Sequence, residues 1–300
     1  MSENKLIQEL KHIEELTIRE NVSAKELTTF KGGGVARLHL APKNIDALIG
    51  TIQTLSESNI RPLIIGKGAN TIIDDNGISA PLLSLAAFSE ITAKGNFVKA
   101  ESGCSAQKLM QFAKNNALTG LEFLAGIPAT VGGLVAMNAG AFGVEIKDKI
   151  VECEILSDGL VKTCMPEFSY RKGRFEGILL SATFNLDFST KEEIEAEMNR
   201  NLSMRHKKQP SYASCGSVFK AADGVPAAVF IEQTGLKGFR IGGAEISKQH
   251  CNFIVNIDNA TATDFLKLVE LIQNSVYYEF GTKLESEFVL LKDKTASAAD

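Results

Sequence analysis

Residues 120–146 read GLEFLAGIPATVGGLVAMNAGAFGVEI. The stretch holds six glycines and five alanines, no Lys or Arg, and only two charges, Glu122 and Glu145. Main chain carrying such small residues lets a flat or phosphorylated ligand lie directly against it. A plain core would need bigger side chains to fill its volume. The segment is neither repetitive nor strictly periodic, so it is not a simple helix or a linker. Close helix–strand packing is the plainer explanation of small residues. A cofactor-binding wall is the sharper one.

The bulk of the chain is that of an ordinary globular protein. Its 300 residues suit one large domain or two to three small ones. Lys and Arg number 32 against 36 Asp and Glu, a net charge of −4, which gives no support to a nucleic-acid-binding surface. The opening MSENKLIQELKHIEEL lacks the apolar core of a signal peptide. No stretch approaches the roughly 20 apolar residues of a membrane span. A cytoplasmic location without membrane insertion is expected, and a monomer. Five cysteines, an odd number without CxxC spacing, suit reduced thiols. The four histidines form no HxxxH or HExxH pair, so no metal site is expected.

Hydrophobic periodicity places helices near residues 5–16, 47–55, 225–233 and 262–277, and one after the cap Ser105. Strands are expected near 37–40, 63–65, 71–73, 82–85, 97–101, 151–156, 178–186, 216–219, 252–256 and 288–291. Composition shifts at Thr190, where KEEIEAEMNRNLSMRHKK reads as a helix with acids first and bases last, matching its dipole. A domain boundary is expected there, and a frayed tail at 292–300.

The turn Gly66-Lys67-Gly68-Ala69-Asn70 follows the apolar run RPLII. Backbone N–H groups in such a turn can form an anion nest. Thr71 stands where GxGxxG has its third glycine, which disfavours a Rossmann fold. Alone the turn is common structural punctuation. With the 126–133 stretch it makes two small-residue loops able to clasp a pyrophosphate.

These segments, in this order, closely resemble the UDP-N-acetylenolpyruvoylglucosamine reductases. The resemblance also covers LTTFKGGG at 27–34, SYRKGRF at 169–175, CGSVFK at 215–220, LKGFRIGGAEIS at 236–247 and LESE at 284–287. It implies an α+β chain: a two-subdomain FAD-binding fold of the vanillyl-alcohol-oxidase type over residues 1–189 (about 1–80 and 81–189), and a C-terminal α/β substrate domain over 190–291. It implies noncovalent FAD held by Gly66, Lys67, Gly68, Ala69 and Asn70, and by Gly126, Ile127, Pro128, Thr130, Gly132, Gly133, Asn138 and Gly140. The implied reaction takes hydride from NADPH and delivers it to UDP-N-acetylglucosamine enolpyruvate. No insertion with an aromatic tip lies between Leu186 and Arg205, so the chain resembles the short form, without the tyrosine loop.

Reducing an enolpyruvyl ether needs a cation for the enolate-like charge, a proton donor and a group that orders both. By resemblance these are Arg171, Ser217 and Glu287. Arg171 can grip a carboxylate with two parallel donors. A serine hydroxyl is a poor acid and needs assistance from its surroundings. Alternation puts Glu285 and Glu287 on one face, so periodicity does not choose between them. The assignment to Glu287 rests on the match. Tyr170, Arg205, Lys208 and Lys237 are implied to meet the substrate. His206 reads as a solvated helix-end residue. Cys215 has no paired histidine motif to make it a nucleophile.

Three positions depart from the family pattern. Ala69 stands where Ser is usual, Ala221 where Asn is common, and KGGGVA at 31–36 replaces KxGGPA. Two other readings stay open at this stage: a different FAD-dependent oxidase of the same fold, and a non-catalytic relative that binds a UDP-sugar.

Overall fold

A computed structural model describes residues 3–293. The chain forms two compact units, each discontinuous in sequence. The first takes residues up to 18, then 40–67 and 82–205; the second takes 19–39, 68–81 and 206 onward.

The first unit is built on a five-stranded antiparallel sheet, in the order Leu160–Cys164, Ile150–Ser157, Ile178–Asn185, Phe97–Glu101, Ile91–Lys94. Ile178–Asn185 is the central strand, and Leu179, Leu180, Ala182 and Phe184 are buried along it. Helix Ala106–Asn115 starts where the Ser105 side chain accepts the Lys108 N–H, and it turns Leu109, Met110 and Ala113 inward. These side chains share one core with Leu124, Val131, Leu134 and Val135. Burying each large one is worth about 1.5–3 kcal/mol. Leu63–Ile64 pairs in parallel with Leu82–Leu83 and delivers the chain to the Gly66 turn.

The second unit carries a four-stranded antiparallel sheet, ordered Ala213–Ser214, Ile254–Asn256, Ala244–Ile246, Arg240–Ile241. Helix Ala262–Phe280 opens with a reciprocal Thr261/Asp264 capping box and stops at Gly281, whose φ of +68° a residue with a side chain resists. Its Phe265, Leu268, Ile272 and Val276 stripe is buried. Thr71–Ile73 pairs in parallel with Val289–Leu291, joining segments far apart in the chain.

Several expectations need correction. The first helix is Glu3–Lys11, and Leu16 already starts a strand, Leu16–Ser23, that periodicity did not mark. Residues 216–219 form no strand, only a single bridge from Phe219 to Ser286. Thr190 is not where the compact units part: helix Lys191–Lys208 belongs to the first unit as far as Arg205. Of the expected frayed tail, Asp293 is anchored, its carboxylate accepting the Ser79 N–H and hydroxyl at 2.9 Å. Residues 294–300 lie outside the described ones.

Candidate active site

In the first unit the small-residue stretch divides its labour. Leu121, Phe123, Leu124, Val131, Leu134 and Val135 point into the core, while Gly126, Gly132, Gly133 and Gly140 stay partly exposed. Glu122 is buried because its carboxylate accepts the Gly120 N–H and the Thr119 hydroxyl, both at 2.8 Å. Several of the glycines are required by close approach. A Cβ on Gly126, where φ is +80°, would lie 2.8 Å from Arg205 Cδ. A Cβ on Gly66 would lie 2.6 Å from Thr130 Oγ1. The two loops anticipated from sequence therefore meet at Gly66 and Thr130.

Thr130 in turn accepts the Gly133 N–H at 3.2 Å, and Gly132 N–H donates to Ser102 O at 2.7 Å. Ser102 was not singled out by sequence. Its buried Oγ finds no protein partner among the described residues, and its Cβ would sit 3.3 Å from one placed on Gly132. A bare main-chain cradle with an orphaned hydroxyl behind it suits a ligand that brings its own hydrogen-bonding groups.

The two ends of this wall each meet an arginine. Arg205 donates from Nε to Ala125 O at 2.8 Å and from Nη2 to Phe123 O at 3.4 Å, and its guanidinium stands 5.6 Å from the Phe142 ring. Burial lowers its pKa, though guanidinium remains charged. Arg205, expected at the substrate, is thus bound to the main chain of the small-residue stretch. At the other end, strands Glu167–Ser169 and Lys172–Arg174 form a hairpin whose two-residue turn is Tyr170-Arg171. Arg171 has φ +56°, unusual without glycine or asparagine, and its guanidinium lies 5.0 Å from the Tyr170 ring. A Cβ on Gly140 would lie 3.4 Å from Arg171 Nη1. Asn138, expected to touch the cofactor, is fully buried; its side-chain amide donates to Ser169 O and Glu145 Oε2, each at 3.1 Å.

In the second unit, Ser217 follows Gly216, whose φ is +81°. Instead of a strand, the segment is held by a side chain. Asn252 accepts the Phe219 N–H and donates to Phe219 O, both at 2.9 Å. Val218 N–H donates to Asn252 O, and Glu287 N–H donates to Val218 O at 2.8 Å. Glu287 is thereby brought beside the residue that follows Ser217. Asn70 secures the other side, donating from Nδ2 to Glu287 O at 2.9 Å and accepting the Val289 N–H at 2.8 Å. Thr29, within the LTTF segment, donates its N–H to Gly68 O at 3.2 Å and its hydroxyl to Ser214 O at 2.7 Å.

The two acids now separate. Glu285 is exposed and paired with Lys220 at 3.3 Å, whereas Glu287 is half-buried. Cys215 is buried; burial first and the nearby Glu287 charge next push its thiol up to about 12, which leaves no thiolate for nucleophilic attack. Lys208 is exposed at the end of its helix, and Gln249 donates to the His206 and Lys207 carbonyls there. His206 is exposed, as expected. Lys237 is paired with Glu232 at 2.7 Å, an ion pair that an anionic ligand would have to displace.

Among the described residues no cluster of three or more His, Cys, Asp or Glu could hold a metal, and no helix is long and apolar enough to cross a membrane. Residues 36–164 match the FAD binding domain family, and residues 208–291 match the C-terminal domain of UDP-N-acetylenolpyruvoylglucosamine reductase. The glycine cradle and the first of these matches define a flavoprotein with the FAD-binding fold anticipated from sequence.

Curated relatives narrow the class. A UDP-N-acetylenolpyruvoylglucosamine reductase 2 of Bacillus cereus is 40% identical over 278 residues, 90% of this chain and 91% of its own. A Caldicellulosiruptor saccharolyticus reductase of the same name is 42% identical over 275 residues, 88% of each chain. The crystal structure of the Thermus caldophilus reductase superposes with a TM-score of 0.79 at 32% identity, covering 92% of this chain and all of its own. The chain belongs to the UDP-N-acetylenolpyruvoylglucosamine reductase family.

Proposed function

We propose that the protein reduces UDP-N-acetylglucosamine enolpyruvate to UDP-N-acetylmuramate at the expense of NADPH, a step in building peptidoglycan precursors. Bound noncovalently along the wall from Gly126 to Gly140 and the Gly66 turn, FAD supplies a carrier that takes hydride from NADPH and passes it to carbon. The protein's own groups do the rest. Arg171 grips the substrate carboxylate and offsets the charge that grows there when hydride reaches the neighbouring carbon. The Ser217 hydroxyl gives that charge its proton, and Glu287 orders the hydroxyl and its surroundings. Lys208 and Tyr170 meet the substrate, and Lys237 its diphosphate. Arg205 holds the wall in shape.

The observation that supports this reading is the hydrogen bond from Glu287 N–H to Val218 O, which ties the Glu287 main chain to the residue after Ser217, 69 positions earlier in the chain. Five free thiols, four of them buried, suit a reducing cytoplasm. A single chain carries every assigned group, so the proposed working form is a monomer.

The test is anaerobic. NADPH should bleach the yellow of the FAD-loaded protein, and adding the enolpyruvyl substrate should restore it while the substrate gains two hydrogens by mass. Bleaching without recovery would point to another flavin-dependent activity. No yellow protein after FAD is offered would favour a non-catalytic sugar binder.

A further inference from the structure

The turn that presents Arg171 is not self-sufficient. Its φ of +56° is a conformation that ordinary side chains adopt only when their surroundings impose it. One residue bonds to the base of that turn and, by two further bonds, to its own neighbourhood. Asn138 is fully buried and itself sits at φ +39°. Its amide donates at 3.1 Å to the carbonyl of Ser169, the last residue before the Tyr170-Arg171 turn. The same amide donates at 3.1 Å to Glu145, which also pairs with Lys147 at 2.6 Å, and its oxygen accepts the Lys147 N–H. Two residues on is Gly140, where a Cβ would crowd Val144 O at 2.9 Å and Glu145 Cγ at 3.0 Å and would reach Arg171 Nη1 at 3.4 Å.

We infer that Asn138 is the positioning residue for Arg171: it fixes the hairpin and the glycine pocket together, so that the guanidinium meets the substrate carboxylate in one orientation. This rests on the reading of Arg171 as the carboxylate-gripping group. Contact of Asn138 with the cofactor, as the resemblance implies, is the opposing outcome of the test. Aspartate would keep the shape of the side chain and its tolerance of positive φ, but it would put an acceptor where Ser169 and Glu145 require donors.

A double-mutant cycle tests it on the FAD-loaded enzyme, using Asn138→Ala, Arg171→Ala and the pair, with Asn138→Asp as a second probe should the alanine variant not fold. Misplacing a group by about 1 Å can cost up to about a hundredfold. Asn138→Ala should therefore lower kcat/KM for the enolpyruvyl substrate about ten- to a hundredfold. It should leave FAD affinity and the rate of hydride uptake from NADPH within about twofold. In the Arg171→Ala background the further loss should shrink below about twofold, because coupled residues are not additive. Additive losses, or a fall in FAD affinity in place of the kcat/KM effect, would overturn the inference. An Arg171→Ala variant with unchanged kcat/KM would overturn both the inference and the reading beneath it.

Discussion

Asn252→Ala probes the side chain that stands in for an absent strand. Asn252 and Phe219 are 6% and 1% exposed, and the carboxamide closes both the N–H and the C=O of Phe219 at 2.9 Å. Alanine removes both bonds and leaves a buried peptide group facing a gap. Each neutral bond is worth about 0.5–1.5 kcal/mol, and each group left unsatisfied costs about 1–3 kcal/mol where water cannot follow. Partial relaxation brings the sum to about 2–4 kcal/mol, a large share of the stability of an ordinary domain. Urea unfolding followed by circular dichroism should show the midpoint fall accordingly. Val218 then loses its neighbour's anchor, and the bond from Glu287 N–H to Val218 O loosens with it. Substrate reduction should drop while FAD stays bound. A change under about 1 kcal/mol with full activity would refute the reasoning, since the Phe219 peptide would then have found other partners at no cost.

Other outcomes follow from single environments. Glu287→Gln should cost about a hundredfold or more in substrate turnover, within the range of a lost acid–base group. Glu285→Gln should stay within about twofold, because an exposed ion pair contributes about 0–1 kcal/mol. Burial, and for His39 also the Arg19 charge, holds His39 and His250 below their ordinary 6.5. The unfolded chain therefore takes up protons first, so stability should decline as pH falls from about 6.5 and level off below the folded values. Urea midpoints between pH 8 and 5 measure this, and His39→Gln should flatten the decline. Cys153 and Cys215 are pushed up to about 12 and Cys251 to about 11, in each case chiefly by burial. In native protein at pH 8, iodoacetamide followed by mass spectrometry should find Cys215 and Cys153 labelled last. Prompt labelling of Cys215 would contradict its buried, protonated state.

What was legible in the sequence was whatever a short-range rule governs. The small-residue stretch stood out because only glycine lets other groups come so close to the main chain, and at Gly66 and Gly126 a Cβ would meet the Thr130 and Arg205 side chains at 2.6 and 2.8 Å. The Ser105 cap and the stripe of helix Ala262–Phe280 were equally local. Features set by distant partners were not. CGSVFK reads like a strand because its apolar residues are buried, yet it pairs only through the single Phe219–Ser286 bridge and through the carboxamide of Asn252. Alternation gave Glu285 and Glu287 the same face; their different surroundings, an exposed pair with Lys220 for one and half-burial for the other, come from residues far away in sequence. Asn138 entered as a cofactor contact implied by the resemblance, and its bond to the Ser169 carbonyl, 31 residues further on, has no local mark in the sequence. The second unit gathers segments far apart in sequence through pairings such as Thr71–Ile73 with Val289–Leu291, which no local pattern records.

The most direct test of the proposed chemistry is stopped-flow absorbance on Ser217→Ala, following the two half-reactions separately. Hydride uptake from NADPH does not need the substrate's proton, so flavin bleaching should keep its parent rate. Delivery to the enolpyruvyl substrate does need it, and recovery of the flavin band should slow by about 10²–10⁴-fold, the usual worth of a general acid. Equal slowing of both steps, or slowing of neither, would contradict the account.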